Sequence, residues 1–553
     1  MVNSQEILKF CIEKGLLLDK DVLNLLSQEL DIESAKIILE KIKSFTGKNI
    51  ITKHIFEANK QQVQEFILKL PENEQRNLEN FKIKLGLSIE ISKETTSNNI
   101  SSAEIIRKFD LVDQVNQEAC VKFTNNYPIF NKKLEVGDFV QYFRGRFNEM
   151  KGFLQEKSEL NGLVSINKIG NVRTNVSIIG IVSDKRLTKN QNVILQIEDL
   201  TGKINVLINK DKKELAEKLE DVALDCVLGF KCSGNREILF ANDIVFPEVI
   251  LSERKRSPVE EYALFIGDLH FGSKRFLKDG FLKFIDYLNG KFSEDKEYLK
   301  IKYLFLVGDV ITGVGNYPNQ EFDLEIVNIE NQFIALAELL GKIRKDIKII
   351  ISPGNHDGVR VMEPQPVLDE KYAWAIYELE NVIVTPNPSY INIGCKNGFS
   401  GWDVLTYHGF SFPYFAGTIS HLIKKRAMNC PEEIMKFLLK HRHLAPTHGS
   451  TQYYPAGDDG LIIKKIPDIF VSAHTHKCGV STFNNILVIS TSCWEAMTPY
   501  QEKFGNIPDH CKVPMVNLKT RAVKILDFED KKEDVVEEKK EVALEVKQEV
   551  AAK

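Results

Sequence analysis

Histidine is unevenly distributed along this chain of 553 residues. Of eleven histidines, only His54 precedes residue 250, and the other ten run from His270 onward. Histidine is a common metal ligand and acid–base group, so chemistry is expected in the second half. There, five apolar segments each end in metal-competent side chains. Asp268 and His270 follow "YALFIG", and Asp309 follows "YLFLVG". Asn355, His356 and Asp357 follow "IKIIIS" and a Pro-Gly, His408 follows "DVLTY", and His474 and His476 follow "DIFVSA". A single Asp after a strand is commonly a helix cap, and a single His is commonly structural. Five such ends in succession point instead to one convergent site.

The residue types suit phosphoester chemistry. Two metal ions ~3.5–4 Å apart can clamp the attacking and leaving oxygens of a phosphoester. One carboxylate must then bridge them, and neutral ligands must limit the negative charge facing an anionic substrate. Mixed His, Asn and Asp ligation favours manganese or iron over magnesium, which prefers oxygen and water. Asp-x-His and His-x-His put alternate side chains on one side of an extended segment.

These groups need a scaffold. The five segments, with "ILVIST", are near-continuous apolar runs, the pattern of strands covered by helices on both faces. In such layered folds ligands bind beyond the carboxyl ends of the strands. Upstream, residues 1–75 show apolar spacing of three and four, which predicts a small helical module. Residues 76–165 are expected to be a linker and partly ordered connector, with "SKETTSNNISS" (92–102) as its polar core. Residues 166–250 alternate strands and turns in the order three strands, one helix, two strands, which predicts an oligonucleotide/oligosaccharide-binding (OB) barrel. Residues 258–527 hold the layered part, and the charged tail 528–553 is expected to be disordered.

The ordered set D-x-H, G-D, G-N-H-D, H and H-x-H resembles the calcineurin-like metallophosphoesterase superfamily. The resemblance implies that Asp268, His270 and His476 hold one divalent ion and Asn355, His408 and His474 a second, bridged by Asp309. It implies that His356 protonates the leaving oxygen, with Asp357 holding its ring. Manganese is the first choice of metal, with magnesium, iron and zinc as alternatives. Ala473 stands where relatives have glycine, and His448 in "APTHGS" rivals His408 for the fourth motif. The fold class is therefore multidomain α+β: a helical N-terminal module, an OB barrel and a layered α/β/β/α phosphoesterase domain.

Longer stretches narrow the family. "GNHDGVRVMEPQP", "KHRHLAPTHGS" and "STSCWEAMTPYQEKFGNIPDHCKVPMVNLKT" resemble the small subunits of archaeal family D DNA polymerases. That resemblance implies a proofreading 3′→5′ exonuclease on single-stranded DNA, with a large catalytic polymerase subunit as partner. Primer-template DNA, and the sliding clamp reached through the complex, are further implied partners. The alternatives are a non-catalytic scaffold subunit and a different metal-dependent phosphodiesterase or phosphatase.

Bulk properties add exclusions. The net charge of −4 does not advertise a nucleic-acid binder, although a local basic surface can hide in a balanced total. Lys424, Lys425, Arg426, Lys440 and Arg442, in an insertion around 415–460, form one such cluster. It could track DNA phosphates or be a solvated helix face. Nine cysteines without a C-x-x-C pair suggest neither a zinc ribbon nor a disulfide framework, which favours a reducing cytoplasm. The N-terminus is not a signal peptide, and no apolar run reaches the ~20 residues of a membrane span. A soluble cytoplasmic protein is expected.

Overall fold

The computed structural model describes residues 4–18, 50–51, 120–123, 133–291, 296–455 and 457–529, with single positions at 23, 36, 39 and 43. Most of the expected helical module, the linker 92–102 and all but the first two tail residues lie outside these. Residues 1–105 form one unit and 106–553 another. In the first, helix α1 (Ser4–Glu13) buries Ile7 and Cys11, and β1 (Leu17–Leu18) runs parallel to β2 (Ile50–Ile51).

The second unit departs from the expected connector at once. Strand β3 (Val121–Phe123) joins the edge of a sheet far along the chain, and Cys120 forms a disulfide with Cys395. The partners are 275 residues apart, so cysteine spacing carried no sign of this bridge. Residues 136–155 form a long helix, α2 (Val136–Gln155), whose buried Phe147, Met150 and Leu154 recur at three and four residues. The Asp138 carboxylate accepts the Glu135 N–H at 2.8 Å and fixes its start.

Five strands then close a barrel in the order β4 (Thr174–Leu187), β5 (Val193–Asp199), β6 (Gly202–Ile208), β8 (Leu239–Val245), β7 (Val227–Gly234). Helix α3 (Lys213–Glu220) connects β6 to β7 and buries Leu215 and Leu219. Along β5, Val193, Leu195 and Ile197 point inward by simple alternation.

Two six-stranded sheets follow, packed face to face. The first runs β12 (Val382–Val384), β11 (Lys348–Ser352), β10 (Ile301–Val307), β9 (Tyr262–Ile266), β18 (Lys512–Asn517), β19 (Val523–Asp527). The second runs β16 (Gly479–Phe483), β17 (Ile486–Ser490), β15 (Ile469–Ser472), β14 (Trp402–Tyr407), β13 (Ser389–Ile393), β3. All six expected strands form, and β9 to β12 pair in parallel, as do β14, β15 and β17. Phe265, Phe305, Ile350, Trp402, Val471 and Ile489 fill the space between the sheets. Helices α4 (Lys278–Leu288), α5 (Ile329–Leu340) and α6 (Glu370–Tyr377) cover the outside of the first sheet.

The outer face of the second sheet shares one core with the barrel and with helices α7 (Phe412–Thr418), α8 (Ser420–Lys424) and α9 (Pro431–His441). The basic cluster of the insertion is largely consumed here. Lys424 pairs with Glu220 at 2.9 Å, Lys440 pairs with Asp221, and Lys425 pairs with Glu433 at 2.5 Å. Arg442 donates to the Ile463 carbonyl and stacks on Phe153, 3.5 Å from the ring centre. The positive charge fastens the insertion to the acidic end of α3 on the barrel. Helix α2 is fastened in the same region by a buried cluster. The Asp459 carboxylate accepts from Tyr142 Oη at 2.8 Å and Arg146 Nε at 2.5 Å, and lies 2.9 Å from His443 Nε2.

Candidate metal centre

Each strand delivers its groups just past its carboxyl end. Asp268 lies two residues beyond β9, Asp309 two beyond β10, Asn355 three beyond β11 and His474 two beyond β15, while His408 directly follows β14. Parallel pairing sets these ends side by side. The ligand atoms of Asp268, His270 and His476 lie within 4.8 Å of one another, and so do those of Asp309, His408 and His474. A third such group is His270, Asp309 and His356. Asn355 Oδ1 lies 3.1 Å from His408 Nε2. Asp309 sits between the two halves, with Oδ2 3.3 Å from His408 Nε2 and 3.9 Å from His270 Nε2. His448 instead contacts Tyr453 Oη at 3.1 Å, and belongs to no such group among the described residues.

The backbone is bent to do this. Asp268, His270, Asp309, His474 and His476 all have left-handed φ, between 46° and 69°. Non-glycine residues adopt that region at a cost, and such residues gather at functional sites. Gly308 is also left-handed at 77°, and a Cβ there would collide with His408 Nδ1. A Cβ on Gly354 would collide with the Asp309 carboxylate. Both glycines are required by close approach.

The donor set fits divalent ions. Asp268 Oδ1 is buried with no hydrogen-bond partner, while Oδ2 accepts the His474 N–H at 2.8 Å. His270 and His476 face each other Nε2 to Nε2 at 3.1 Å. A buried carboxylate oxygen without a partner, beside imidazole nitrogens that face one another, is what a cation would satisfy. The far nitrogens of the rings are braced: His408 Nδ1 lies 3.2 Å from the Val307 carbonyl, and His476 Nδ1 lies 2.8 Å from Gln501 Nε2. Such outer contacts orient ligating rings. Gln501, on α10 (Pro499–Phe504), was not singled out in the sequence. "TPYQ" marks a capped helix start, but not this contact.

Charge is tightly coupled across the centre. Burial pushes the Asp268 carboxyl well up, with Asp309 adding to the effect. Burial would also raise Asp309, but His408 and His356 beside it hold it well below the usual carboxylate range. Burial pulls His270 down to about 3, and the facing His356 adds to this. His408 resists its burial because Asp309 adjoins it, and rises to about 10.

One expected contact is replaced. Asp357 does not hold the His356 ring. Its carboxylate accepts the N–H groups of Gly354 at 2.7 Å and Ile311 at 2.9 Å, tying the loop after β11 to the loop after β10. The ring is held by the Thr312 carbonyl, 2.9 Å from Nδ1, with Asn316 Nδ2 at 3.1 Å. A carboxylate three residues from Gly354 closes its own loop more readily than it reaches a neighbouring side chain.

The "EPQP" stretch forms a buried buttress behind the centre. Glu363 accepts from Thr451 Oγ1 at 2.8 Å and Tyr407 Oη at 3.0 Å, and burial pushes its carboxyl up to about 7. Gln365 Nε2 donates to the Gly354 carbonyl at 3.0 Å, and Gln365 Oε1 accepts from Asn387 at 2.7 Å. Asn387 Oδ1 in turn accepts the His408 N–H at 2.9 Å. The Asn355 loop and the His408 strand end are thus set relative to one another.

Comparison with known proteins agrees with this geometry. Residues 263–478 match the calcineurin-like phosphoesterase family. Three relatives are each named DNA polymerase II small subunit. That of Pyrococcus furiosus is 37% identical over 71% of this chain and 64% of its own length. That of Methanothermobacter thermautotrophicus is 35% identical over 71% of this chain and 80% of its own. That of Thermoplasma acidophilum is 32% identical over 74% of this chain and 82% of its own. The match thus spans less than two thirds of the Pyrococcus relative.

Proposed function

This chain belongs to the family of DNA polymerase II small subunits, and from that premise we propose that it carries a two-metal phosphodiesterase removing nucleotides from the 3′ end of single-stranded DNA. Its partner in this reading is a large catalytic subunit of a heteromeric archaeal replicative polymerase, and its task is proofreading. The observation that carries the reading is the convergence of seven candidate ligands from five strand ends, with a carboxylate, Asp309, between the two halves. Left-handed backbone at five of those positions favours a site built for chemistry over a scaffold.

Asp268, His270 and His476 would hold one divalent ion, and Asn355, His408 and His474 the other, with manganese as the first choice. Ions bound there would supply charge to the phosphoester oxygens and ease deprotonation of water. The protein's own groups do the rest. His356 Nδ1 lies 2.9 Å from the Thr312 carbonyl, which orients the ring so that Nε2 of the imidazolium would be the atom that hands a proton to the leaving oxygen. Asp309 Oδ1 accepts the His356 N–H at 2.8 Å, so the acid is registered to the central carboxylate. Gln501 and the Val307 carbonyl keep two imidazoles in place. The five-stranded barrel with its helix after the third strand supports an OB reading, and would guide a strand or dock the large subunit.

The test is degradation of 3′-labelled single-stranded DNA with manganese, comparing the natural chain with Asp309→Ala. Loss of degradation is expected in a variant that keeps its circular-dichroism spectrum. Equal activity in the two would overturn the assignment.

A further inference from the structure

The opposite end of the sandwich carries a second concentration of charge. Three arginines from two parts of the chain line one pocket of about 280 Å³. Arg254 and Arg256 come from the extended segment between barrel and sandwich, and Arg521 comes from the turn between β18 and β19. Thr482, Thr520, Asn485 and Leu487 complete the lining. Lys255 points away, pairing with Asp403 at 3.0 Å and Asp468 at 2.8 Å, as alternation in an extended segment requires.

Two of the three arginines are held in place by neighbours. Arg254 Nε donates to Asn485 Oδ1 at 2.8 Å. Arg521 Nη2 donates to the Asn485 carbonyl at 2.8 Å, and its guanidinium stacks on Trp402 at 4.7 Å. Among the described residues, none of the three forms an ion pair with a carboxylate. Burial lowers Arg521 from its ordinary value; the nearby Asp468 opposes this, while Arg254 and Arg256 add to it. Three arginines gathered at one pocket concentrate positive charge where an anion would bind.

We propose that this pocket, lined by Arg254, Arg256 and Arg521, is an anchoring site for a backbone phosphate of DNA, separate from the metal centre. Three forks approaching from two segments match the tetrahedral oxygens of phosphate better than a planar carboxylate, which one or two forks satisfy. The three guanidiniums make the pocket positive, unlike the charge-depleted centre of a protein interface, and Leu487 is its one aliphatic lining residue. The pocket lies where β9 and β17 begin, whereas the metal ligands lie beyond strand ends. Five-residue strands separate them by roughly 17 Å at ~3.3 Å per residue, so a strand held here is not the phosphoester being cut. The proposal rests on the reading that the chain handles DNA, and does not require that it cleaves DNA.

The test is fluorescence anisotropy of labelled oligothymidylate with the full chain, in EDTA to suppress hydrolysis, over a series of KCl concentrations. Arg254→Ala/Arg256→Ala, and Arg254→Gln/Arg256→Gln to keep side-chain bulk, should both bind more weakly. The slope of log affinity against log salt should shrink by about 0.7, one single-strand phosphate contact. Unchanged affinity and slope in both variants would overturn the proposal. So would arginine-dependent binding of polyglutamate or inorganic phosphate with oligothymidylate binding unaffected. Because hydrolysis is not read, failure here is distinct from failure of the exonuclease assignment.

Discussion

His356 Nδ1 lies 2.9 Å from the carbonyl oxygen of Thr312, and no side-chain carboxylate fills that place. The contact holds the ring by Nδ1 and leaves the opposite nitrogen, Nε2, for the role of acid. His356→Ala is therefore expected to lose DNA hydrolysis while still binding manganese in calorimetry. Loss of metal binding would make His356 a ligand instead of an acid.

Asp357 is expected to matter for stability. Asp357→Ala leaves the Gly354 and Ile311 N–H groups unpaired in a buried loop. At about 1–3 kcal/mol for each unsatisfied group, the loss should be several kcal/mol. Chemical denaturation of the metal-free chain measures it. A variant as stable as the natural chain would contradict the bracing role.

Arg146→Ala should be among the most damaging substitutions outside the metal centre. It strands the fully buried Asp459, which Arg146 and His443 hold well below the usual carboxylate range against the effect of burial. Breaking one side of a buried pair costs about 3–5 kcal/mol. Arg146→Ala/Asp459→Asn should recover part of the loss in thermal melts. Because Asp459 is depressed, its contribution is complete above its ordinary value of 3.8 and fades as pH falls below that toward the folded value.

Glu363 has the opposite sign. Its folded carboxyl titrates at about 7, against 4.5 ordinarily. Folding therefore takes up a proton between those values, and its contribution to stability declines as pH rises from 4.5 to 7. Glu363→Gln should flatten the stability profile across that window, measured by urea denaturation at several pH values. A profile unchanged by the substitution would refute the assignment.

Lys424→Ala/Lys440→Ala should leave DNA affinity unchanged, because these lysines face Glu220 and Asp221 of the barrel. Anisotropy with oligothymidylate checks this. A marked fall in affinity would restore the DNA-tracking reading of the insertion.

What the sequence determined by itself was local or periodic. Apolar runs announced the six strands, and the Asp, Asn and His residues after them announced a site, because parallel strands end at one edge. Strand and turn rhythm announced the barrel segments. Tertiary structure decided the rest, because the contacts join distant positions. Thr312 and His356 are 44 residues apart, Arg146 and Asp459 are 313 apart, and Lys440 and Asp221 are 219 apart. A basic cluster shows its charge in sequence but not whether phosphate or carboxylate answers it. The insertion lysines met carboxylates, whereas Arg254, Arg256 and Arg521, separated in sequence, met in one pocket. Left-handed backbone at five ligands was equally invisible, because it is imposed by the packing of loops around the centre and not by the residue types that adopt it.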